Sequence, residues 1–319
     1  MIKEDKCNLD KINSKKDFPL VSILLAVYKP NEDWLIEQLI SLNEQTYENI
    51  ELLVYDDCPD FPVDELMIKK YITNFSYTIN RGTKNEGSNK AFEELTKQGN
   101  GEFFAYCDQD DIWEIEKIEV LVSLIKKENS LLAYSDMSVI GGNGNPIADE
   151  LRQVKPRIQY AYGENLFSRF FFKNCVSGCC MLINSEIAKK AIPFSKVTIH
   201  DQWICMIASF YGRISFIDKS LVKYRLHGNN QTGSFKNIYT KKDYYDLRVN
   251  ILKQRLNEMK KCINDIELSD VENFCYARVN KNIFKILKYS YLSRKEAYFE
   301  LVIQYMPNCL FEIIINKLK

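Results

Sequence analysis

The alternation of two kinds of segment limits the fold of this 319-residue chain more than any other feature. Short runs of apolar residues are typical of strands that are buried on both faces of a sheet. The segments between them carry apolar residues at helical spacing, as the stretch from Leu35 to Leu42 does. Strands that alternate with helices in this way predict an α/β fold with a parallel sheet and right-handed crossovers. The strands are predicted at 21–28, 50–55, 77–80 and 103–107.

Polar residues follow three of these strands at the point where each strand ends. They form the clusters Lys29-Pro-Asn31, Asp56-Asp57 and Asp108-Gln-Asp-Asp111. Ligands of open α/β sheets bind at the carboxyl ends of the strands, so we expect the three clusters to meet at one edge. The sequence therefore predicts an active site at that edge.

Further along the chain, the pattern predicts a mixed region and then a helical one. A helix is expected at 201–211, and short strands are expected at 213–217 and 221–225. We divide the chain into a polar leader at 1–17, an α/β domain at 18–233 and a helical region at 234–319. The helical region carries a seven-residue apolar repeat, which we expect to pack on the chain's own core, with a homodimer contact as the alternative. Its members are Tyr245, Val249, Leu252, Leu256, Met259, Ile263 and Ile266.

Composition excludes several classes of protein. The 43 basic and 43 acidic residues cancel, which argues against nucleic acid as a partner because phosphate binding needs a net basic surface. The ten cysteines include no Cys-x-x-Cys pair, and most have apolar neighbours, so we expect buried thiols rather than disulfides or a zinc site. The leader has no signal-like apolar stretch, and no window of 18 apolar residues exists, so a cytoplasmic protein is expected.

The acidic cluster at 108–111 points to a divalent cation. Three carboxylates within four residues repel one another, and a bound cation removes that repulsion. Oxygen ligands favour Mg²⁺ or Mn²⁺, which usually bind substrate phosphates as well. The alternative interpretation is an ordinary solvated acidic turn.

Two further polar segments contain the only histidines of the chain. Asp201 follows His200 at a predicted helix start, where it either caps the helix or acts as a general base. His227 follows a short strand and is interpreted as a metal ligand or phosphate donor, although a lone histidine is more often an ordinary hydrogen-bonding residue. Asn85 and Gly87 precede a helix predicted at 86–97 and offer donors to a sugar or phosphate.

Together these segments resemble the inverting family 2 glycosyltransferases of bacterial cell-surface polysaccharide synthesis. The resemblance covers about residues 20 to 233, and its last motifs are most similar to the rhamnosyltransferase-like branch. It implies the GT-A fold, which is a Rossmann-like mixed sheet flanked by helices, here with a C-terminal helical appendage. The motifs, in order, are Ser22-Ile-Leu-Leu-Ala-Val-Tyr28, Gln45-Thr46-Tyr47, Val54-Tyr-Asp-Asp57, Asn85-x-Gly87, Cys107-Asp-Gln-Asp-Asp-Ile-Trp113, His200-Asp-Gln-Trp203 and Tyr224-Arg-Leu-His-Gly-Asn-Asn230.

The resemblance also implies a role for each matching residue. Asp201 is the catalytic base, and Asp110 and His227 hold the Mn²⁺ or Mg²⁺ that bridges the diphosphate. Trp113 and Trp203 are weaker candidates for the acceptor subsite, because buried packing explains a tryptophan more often. The residues implied for donor binding are Ala26, Tyr28, Asp57, Asn85, Gly87 and Asp108.

The implied substrates are a UDP- or dTDP-sugar donor and a glycan or lipid-linked oligosaccharide acceptor. Such an acceptor favours peripheral contact with the inner face of the membrane, through the aromatic-rich region after Asn280. The sequence departs from the family pattern at Lys29 and at Cys58-Pro59, which puts the nucleotide contacts in question. Two alternatives remain: a nucleotidyltransferase, for which the glycine-rich loop is lacking after the first strand, and a non-catalytic glycan-binding relative.

Overall fold

A mixed β-sheet lies at the centre of the computed structural model, which describes residues 18–228, 237–263 and 268–318. The strand order is β3-β2-β1-β4-β8-β6-β9-β5, and β7 lies outside this order and pairs with β6. The strands are β1 (Val21–Val27), β2 (Ile50–Asp56), β3 (Ser76–Arg81), β4 (Phe103–Cys107), β5 (Ile112–Trp113), β6 (Leu132–Gly141), β7 (Pro146–Ala148), β8 (Met181–Asn184) and β9 (Ile214–Leu226).

Helices cover the sheet and form the C-terminal part of the chain. Those between strands are α1 (Glu32–Asn43), α2 (Glu65–Tyr71), α3 (Ser88–Gln98), α4 (Lys117–Glu128), α5 (Leu151–Val154), α6 (Phe167–Phe172), α7 (Ser185–Lys190) and α8 (His200–Tyr211). After β9 come α9 (Lys241–Tyr244), a π-helical segment (Tyr245–Asn250), α10 (Ile251–Met259), α11 (Ser269–Val279), α12 (Ile283–Lys288), α13 (Arg294–Tyr305) and α14 (Asn308–Leu318). Short 3₁₀ turns lie at Gly178–Cys180 and Ser290–Leu292.

Strands β1, β2 and β4 end at the same edge of the sheet, as predicted. Strand β1 runs parallel to both β2 and β4, and the register places Leu25 opposite Val54 on one side and Cys107 on the other. The segments that follow Val27, Asp56 and Cys107 therefore leave the sheet together. All three strands are buried along almost their whole length, as expected for strands covered on both faces.

The second half of the sheet differs from the prediction. The strands expected at 213–217 and 221–225 are one strand, β9, which pairs in parallel with β6. Ile217 lies opposite Ser135 and Ser220 lies opposite Asp136, so Asp218 and Lys219 bulge out of the ladder. These two exposed polar residues lie between the two predicted strands, and they occupy a β-bulge that leaves the strand continuous.

The seven-residue repeat packs on the chain's own core. Leu252, Leu256, Met259 and Ile263 join the same hydrophobic cluster as the sheet, as expected, and the homodimer contact stays a prediction. Ile266 lies outside the described residues, as do the leader and the boundary between 233 and 234. Our division into domains therefore stays a prediction.

The last helices carry smaller clusters of their own. One groups Val249 with Ile303, and another groups Phe274 with Ile286. Between α11 and α13, the buried guanidinium of Arg278 lies 2.6 Å from the carboxylate of Glu300. An isolated buried charge is costly, so this pair can exist only because each group satisfies the other.

Two expectations from composition can be compared with the structure. The described cysteines are all free thiols, and most are buried, which confirms the prediction of small buried hydrophobes; Cys309 is exposed. Of the helices in the described ranges, none combines the length and the hydropathy that a membrane crossing requires.

Candidate active site

A cavity of about 230 Å³ opens where β1 and β2 leave the sheet. Its lining includes Tyr28 and Asn85, two of the predicted donor-binding residues. It also includes Lys29, Cys58 and Pro59, the positions where the sequence departs from the family pattern. The departures therefore fall on the wall of this cavity, where they can alter which nucleotide fits.

Tyr28 is held at the mouth of the cavity by Gln109. The Gln109 side chain accepts a hydrogen bond from the Tyr28 amide at 2.7 Å and donates one to the Tyr28 carbonyl at 3.1 Å. This paired contact ties the end of β1 to the acidic segment after β4. The ring of Tyr28 is 41% exposed, and the Lys29 ammonium lies 5.5 Å from its centroid, so a flat aromatic base has a free face to stack on.

Asp57 organises the loop before α3. Its carboxylate accepts hydrogen bonds from the amides of Glu86 at 3.0 Å and Gly87 at 2.8 Å, and the residue is 3% exposed. Gly87 has φ +86°, which is a left-handed conformation that glycine adopts without strain. The structure thus places Asp57, Asn85 and Gly87 in one connected loop beside the cavity. Ala26 lies in β1, two residues before Tyr28, and is half-buried.

An acidic cluster lies directly after β4. Carboxylate oxygens of Asp108 and Asp111 and the sulfur of Cys179 all lie within 4.8 Å of one another. Asp111 is fully buried; its Oδ1 accepts from the Arg225 amide at 3.0 Å, and its Oδ2 has no hydrogen-bond partner among the described residues. Burial, with repulsion from Asp110, raises the pKa of Asp111 to about 7.

The ionised form of the Asp108 carboxyl is disfavoured as well. Desolvation and the charges of Asp111, Asp110 and Asp201 raise the pKa of its carboxyl well above the ordinary value. Like charges that are held this close favour either a proton or a cation. The unsatisfied oxygen of Asp111 and the clustering of carboxylates together fit a divalent cation.

Asp110 and His227 are brought into direct contact. His227 Nε2 lies 2.7 Å from Asp110 Oδ2, which is a hydrogen-bonding distance. The imidazole packs against Trp34 with ring centroids 4.9 Å apart. Asn229 and Asn230 of the same motif lie outside the described residues. Asp110 and His227 are therefore in contact with each other, and their role in metal binding stays a prediction.

Arg225 fixes the acidic segment from the far end of β9. Its guanidinium donates to the Asp110 carbonyl at 2.8 Å, and its amide donates to Asp111. The same guanidinium pairs with Glu37 of α1. The residue is 1% exposed, so it holds the segment in place and does not bind substrate.

Asp201 lies in the first turn of α8, where the helix dipole favours negative charge. Burial nevertheless raises the pKa of its carboxyl to about 7. Asn174 orients the carboxylate, since its amide donates to Oδ1 at 3.0 Å. The start of the helix is capped from outside: Asn89 Oδ1 accepts from the His200 amide at 2.8 Å, so Asp201 is not the cap.

One short turn joins the two acidic motifs. The amide of Gly178 donates to the Asp201 carboxylate, and the sulfur of the next residue, Cys179, belongs to the cluster with Asp108. The charge of Asp201 contributes to the raised pKa of Asp108. Asp201 therefore lies close enough to Asp108 for the charge of one to act on the other.

The structure corrects the assignment of the two tryptophans. Trp113 is 2% exposed and Trp203 is fully buried, with its indole N–H donating to the Ala191 carbonyl at 2.7 Å. Neither ring offers a face to an acceptor sugar. Both tryptophans pack in the core, which is the more common role of a tryptophan.

Several positioning residues were missed from sequence. Gln109 lies inside a recognised motif, so its place was visible although its role was not. Asn89 and Asn174 carry no sequence signal, because each acts through contacts with residues that are distant in the chain.

The comparisons with known proteins agree with this geometry. The model of Glycosyl transferase family 2 matches residues 22–191, which is more than half of the chain. The chain belongs to this family, and it is therefore a glycosyltransferase.

Two curated relatives are informative. The chain is 29% identical over 225 residues to the Escherichia coli UDP-Glc:alpha-D-GlcNAc-diphosphoundecaprenol beta-1,3-glucosyltransferase WfgD, covering 69% of this chain and 82% of that protein. It is 27% identical over 298 residues to the Shigella flexneri dTDP-rhamnosyl transferase RfbG, covering 86% of this chain and 95% of that protein.

Solved structures show the fold. Residues 1–349 of Staphylococcus aureus TarS, in complex with UDP-GlcNAc, match with a TM-score of 0.53 and 18% identity, covering 87% of this chain and 82% of that one. Against the longer crystal structure of TarS, the chain spans 55% of its length. The expected GT-A fold, a mixed sheet flanked by helices, is confirmed.

Proposed function

We propose that this chain transfers a sugar, with inversion, from a UDP- or dTDP-sugar to a hydroxyl of a growing cell-surface glycan. The observation that carries the proposal is the meeting of Asp108, Asp111 and Asp201 around the turn at Gly178–Cys180. The names of WfgD and RfbG support a nucleotide-sugar donor and a glycan acceptor, and rhamnose and glucose are both candidates for the sugar.

The reaction is a single displacement. Asp201 accepts the proton of the acceptor hydroxyl as its oxygen attacks the anomeric carbon, and the bond from that carbon to the diphosphate breaks. The bonding electrons leave with the diphosphate oxygen, so one bond forms as one breaks and the configuration inverts. A base with a pKa of about 7 is well matched to this proton transfer near neutral pH.

The departing diphosphate needs positive charge. A bound Mg²⁺ or Mn²⁺ supplies it as a Lewis acid, an effect of several kcal/mol in metalloenzymes generally. Asp110 and His227 are the residues we assign to hold that cation, with Asp111 or Asp108 completing the carboxylate set. The thiol of Cys179 is a poor ligand for this cation, because Mg²⁺ and Mn²⁺ prefer oxygen ligands whereas sulfur ligands suit softer metals.

The donor is assigned to the cavity beside β1. Tyr28 stacks on the base, the loop of Asn85 and Gly87 offers amide donors, and Asp108 accepts from the ribose or the donor sugar. The acceptor is a glycan or lipid-linked oligosaccharide, and we propose that the exposed aromatic residues after Asn280 bring the enzyme to the membrane that carries it. Phe284, at 85% exposed, is the most accessible of these residues.

The two alternatives differ in products. A nucleotidyltransferase would release pyrophosphate from a triphosphate, and a non-catalytic relative would bind a glycan without turnover. The lack of a glycine-rich loop after β1 disfavours the first, and the retained carboxylates disfavour the second.

The test is a panel of nucleotide sugars, screened by thermal shift with Mn²⁺ and then by release of free nucleotide diphosphate. One donor at about 100 times its Kd should add about 2.7 kcal/mol of stability, and the gain should require the cation. Asp110→Ala should remove the cation-dependent part of this gain, while Asp33→Ala, at an exposed position, should keep it. An unchanged gain in Asp110→Ala would exclude Asp110 from the site.

A further inference from the structure

A second cavity, of about 510 Å³, lies on the face of β9 beside the segment that follows α5. Its volume is within the range of roughly 300–1,000 Å³ that is typical of small-molecule sites. None of the residues that the family resemblance identified lies in its lining. It is therefore distinct from the donor cavity.

The wall of this cavity is an aromatic platform, which we define as Tyr160, Phe216 and Tyr162. The ring of Phe216 lies between the other two, with centroids 4.4 Å from Tyr160 and 5.8 Å from Tyr162. The ring planes are inclined by only 29° and 24°, so the three rings form a stack in which Phe216 is the middle member and Tyr162 is the exposed one. Tyr162 is 60% exposed, which is unusual for a large ring that is packed against its neighbours.

The platform is rigidly held from below. The buried hydroxyl of Tyr134 accepts from the Ala161 amide and donates to the Ala161 carbonyl, both at 2.9 Å. Gly163 and Ile214 exchange two further backbone hydrogen bonds. Tyr160 also donates its hydroxyl to Asp136 of β6. A ligand that binds here loses little entropy in ordering the protein.

The polar groups at the border of the platform include an ion pair, whose two charges cancel. The guanidinium of Arg152 lies 2.6 Å from the carboxylate of Asp218, which the β-bulge of β9 turns outward. Both side chains remain about half exposed, so each keeps hydrogen-bonding capacity. Because the cation is already paired, a phosphate has little to bind here. The exposed ring of Tyr162, with a paired donor and acceptor at its border, suits a pyranose, whose C–H face is apolar and whose rim carries hydroxyls.

The cavity adjoins the transfer site through a single segment. Seven residues before Tyr162, the ammonium of Lys155 lies 5.6 Å from the ring centroid of Tyr224, just before Arg225 of the site. The segment that carries the platform therefore begins beside the end of β9, close to the acidic segment that Arg225 contacts.

We propose that the aromatic platform binds a neutral pyranose of the acceptor glycan, at a position beyond the sugar that receives the new linkage. This rests on the transferase function proposed above, because it assigns the cavity to that reaction's acceptor. The platform then selects acceptors that already carry a further sugar, and the donor cavity stays independent of it.

Saturation-transfer NMR with the full chain tests the proposal, using the methyl pyranosides of glucose, galactose, rhamnose and N-acetylglucosamine as probes. We expect saturation of at least one probe, a fall in affinity of about fivefold or more in Tyr162→Ala, and retention in Tyr162→Phe. Asp218→Asn should weaken the same probe. Tyr298→Ala, which removes a ring of similar exposure on α13, is the matched control.

The outcomes separate this site from the donor site. Stabilisation by UDP with Mn²⁺ should be the same in Tyr162→Ala as in the wild type, so loss of a pyranoside cannot be ascribed to unfolding. Absence of saturation of every pyranoside in the wild type, or equal saturation in Tyr162→Ala, would overturn the proposal. Saturation of uridine monophosphate alone, lost in Tyr162→Ala, would identify a nucleotide subsite and overturn it as well. Failure of UDP to stabilise any variant would instead count against the donor site.

Discussion

The carboxylate of Asp201 lies in a buried environment that disfavours its negative charge. Burial raises its pKa to about 7, although the amides of Gln202 and Gly178 act in the opposite direction. A carboxyl whose pKa is higher in the folded state binds more protons there, so it lowers stability as pH rises from about 3.9 to 7. The loss is complete above pH 7. The burial that gives Asp201 a pKa suited to a general base near neutral pH therefore also lowers the stability of the fold.

Asp201→Asn should separate function from stability. We expect transfer to fall by about 100-fold or more, as for loss of a general base, while UDP binding changes little. The variant should also be more stable than the wild type at pH 8, by on the order of 2 kcal/mol in urea unfolding, because the disfavoured charge is gone. Asp33→Asn, at an exposed position of α1, is the control. Wild-type turnover in Asp201→Asn would remove it as the base.

The pH dependence of the reaction should follow the same carboxyl. Because the base must be unprotonated, kcat/KM should rise with pH and level off above about 7. A value at pH 6 about tenfold below that at pH 8 is expected from one titrating group. The measurement is a profile at saturating Mn²⁺, with UDP affinity followed over the same range. A flat profile from pH 6 to 8 would mean that the base titrates elsewhere.

At the scale of elements, the start of α8 depends on α3. The side chain of Asn89 in α3 donates to the carbonyls of Ser195 and Thr198, at 2.9 and 2.8 Å, and accepts from the His200 amide. A helix start without its own cap needs such a partner to satisfy its free amides. One side chain thus sets the position of the helix that carries Asp201.

Asn89→Ala should therefore affect catalysis more than donor binding. We expect a loss of stability of about 1–3 kcal/mol, a lower kcat and an unchanged KM for the donor, because the donor cavity lies elsewhere. Asn89→Asp keeps the acceptor for His200 but loses both donated hydrogen bonds, so it should be intermediate. The measurements are urea unfolding and steady-state kinetics. If kcat in Asn89→Ala equals that of the wild type, α8 is positioned by other contacts.

At the scale of the whole molecule, the C-terminal helices offer an exposed apolar and basic surface. On α12, Phe284 and Leu287 are 85% and 46% exposed, and Lys285 and Lys288 are exposed beside them. Anionic lipid attracts each basic residue near its surface by about 1 kcal/mol. This arrangement fits peripheral contact with a membrane that presents the acceptor.

Reversal of two charges tests this contact. Lys285→Glu combined with Lys288→Glu should reduce binding to phosphatidylglycerol-containing vesicles by about tenfold or more in a sedimentation assay. Release of nucleotide diphosphate to a water-soluble acceptor should be unchanged. Lys69→Glu combined with Lys70→Glu, on α2, makes the same charge change at an unrelated surface. Equal vesicle binding by the two double variants would contradict a role for α12.

Much of the α/β half was predictable, for a local reason. A strand that is covered on both faces must be apolar throughout, so β1, β2 and β4 were visible as runs and their polar ends marked the site edge. The heptad-like repeat likewise indicated a buried helix face. The two-residue strand β5 and the continuity of β9 were missed, because short pairing and bulges leave no periodic signal.

The sequence by itself determined the order of strands and helices, the edge where ligands meet and the residue types available for chemistry. These follow from periodicity and from motifs that lie within a few consecutive residues. Only the tertiary structure decided that Asn174 orients Asp201 and that the aromatic platform forms. Each of those contacts joins segments far apart in the chain, and such partners are chosen by packing and hydrogen-bond geometry, which no local pattern encodes.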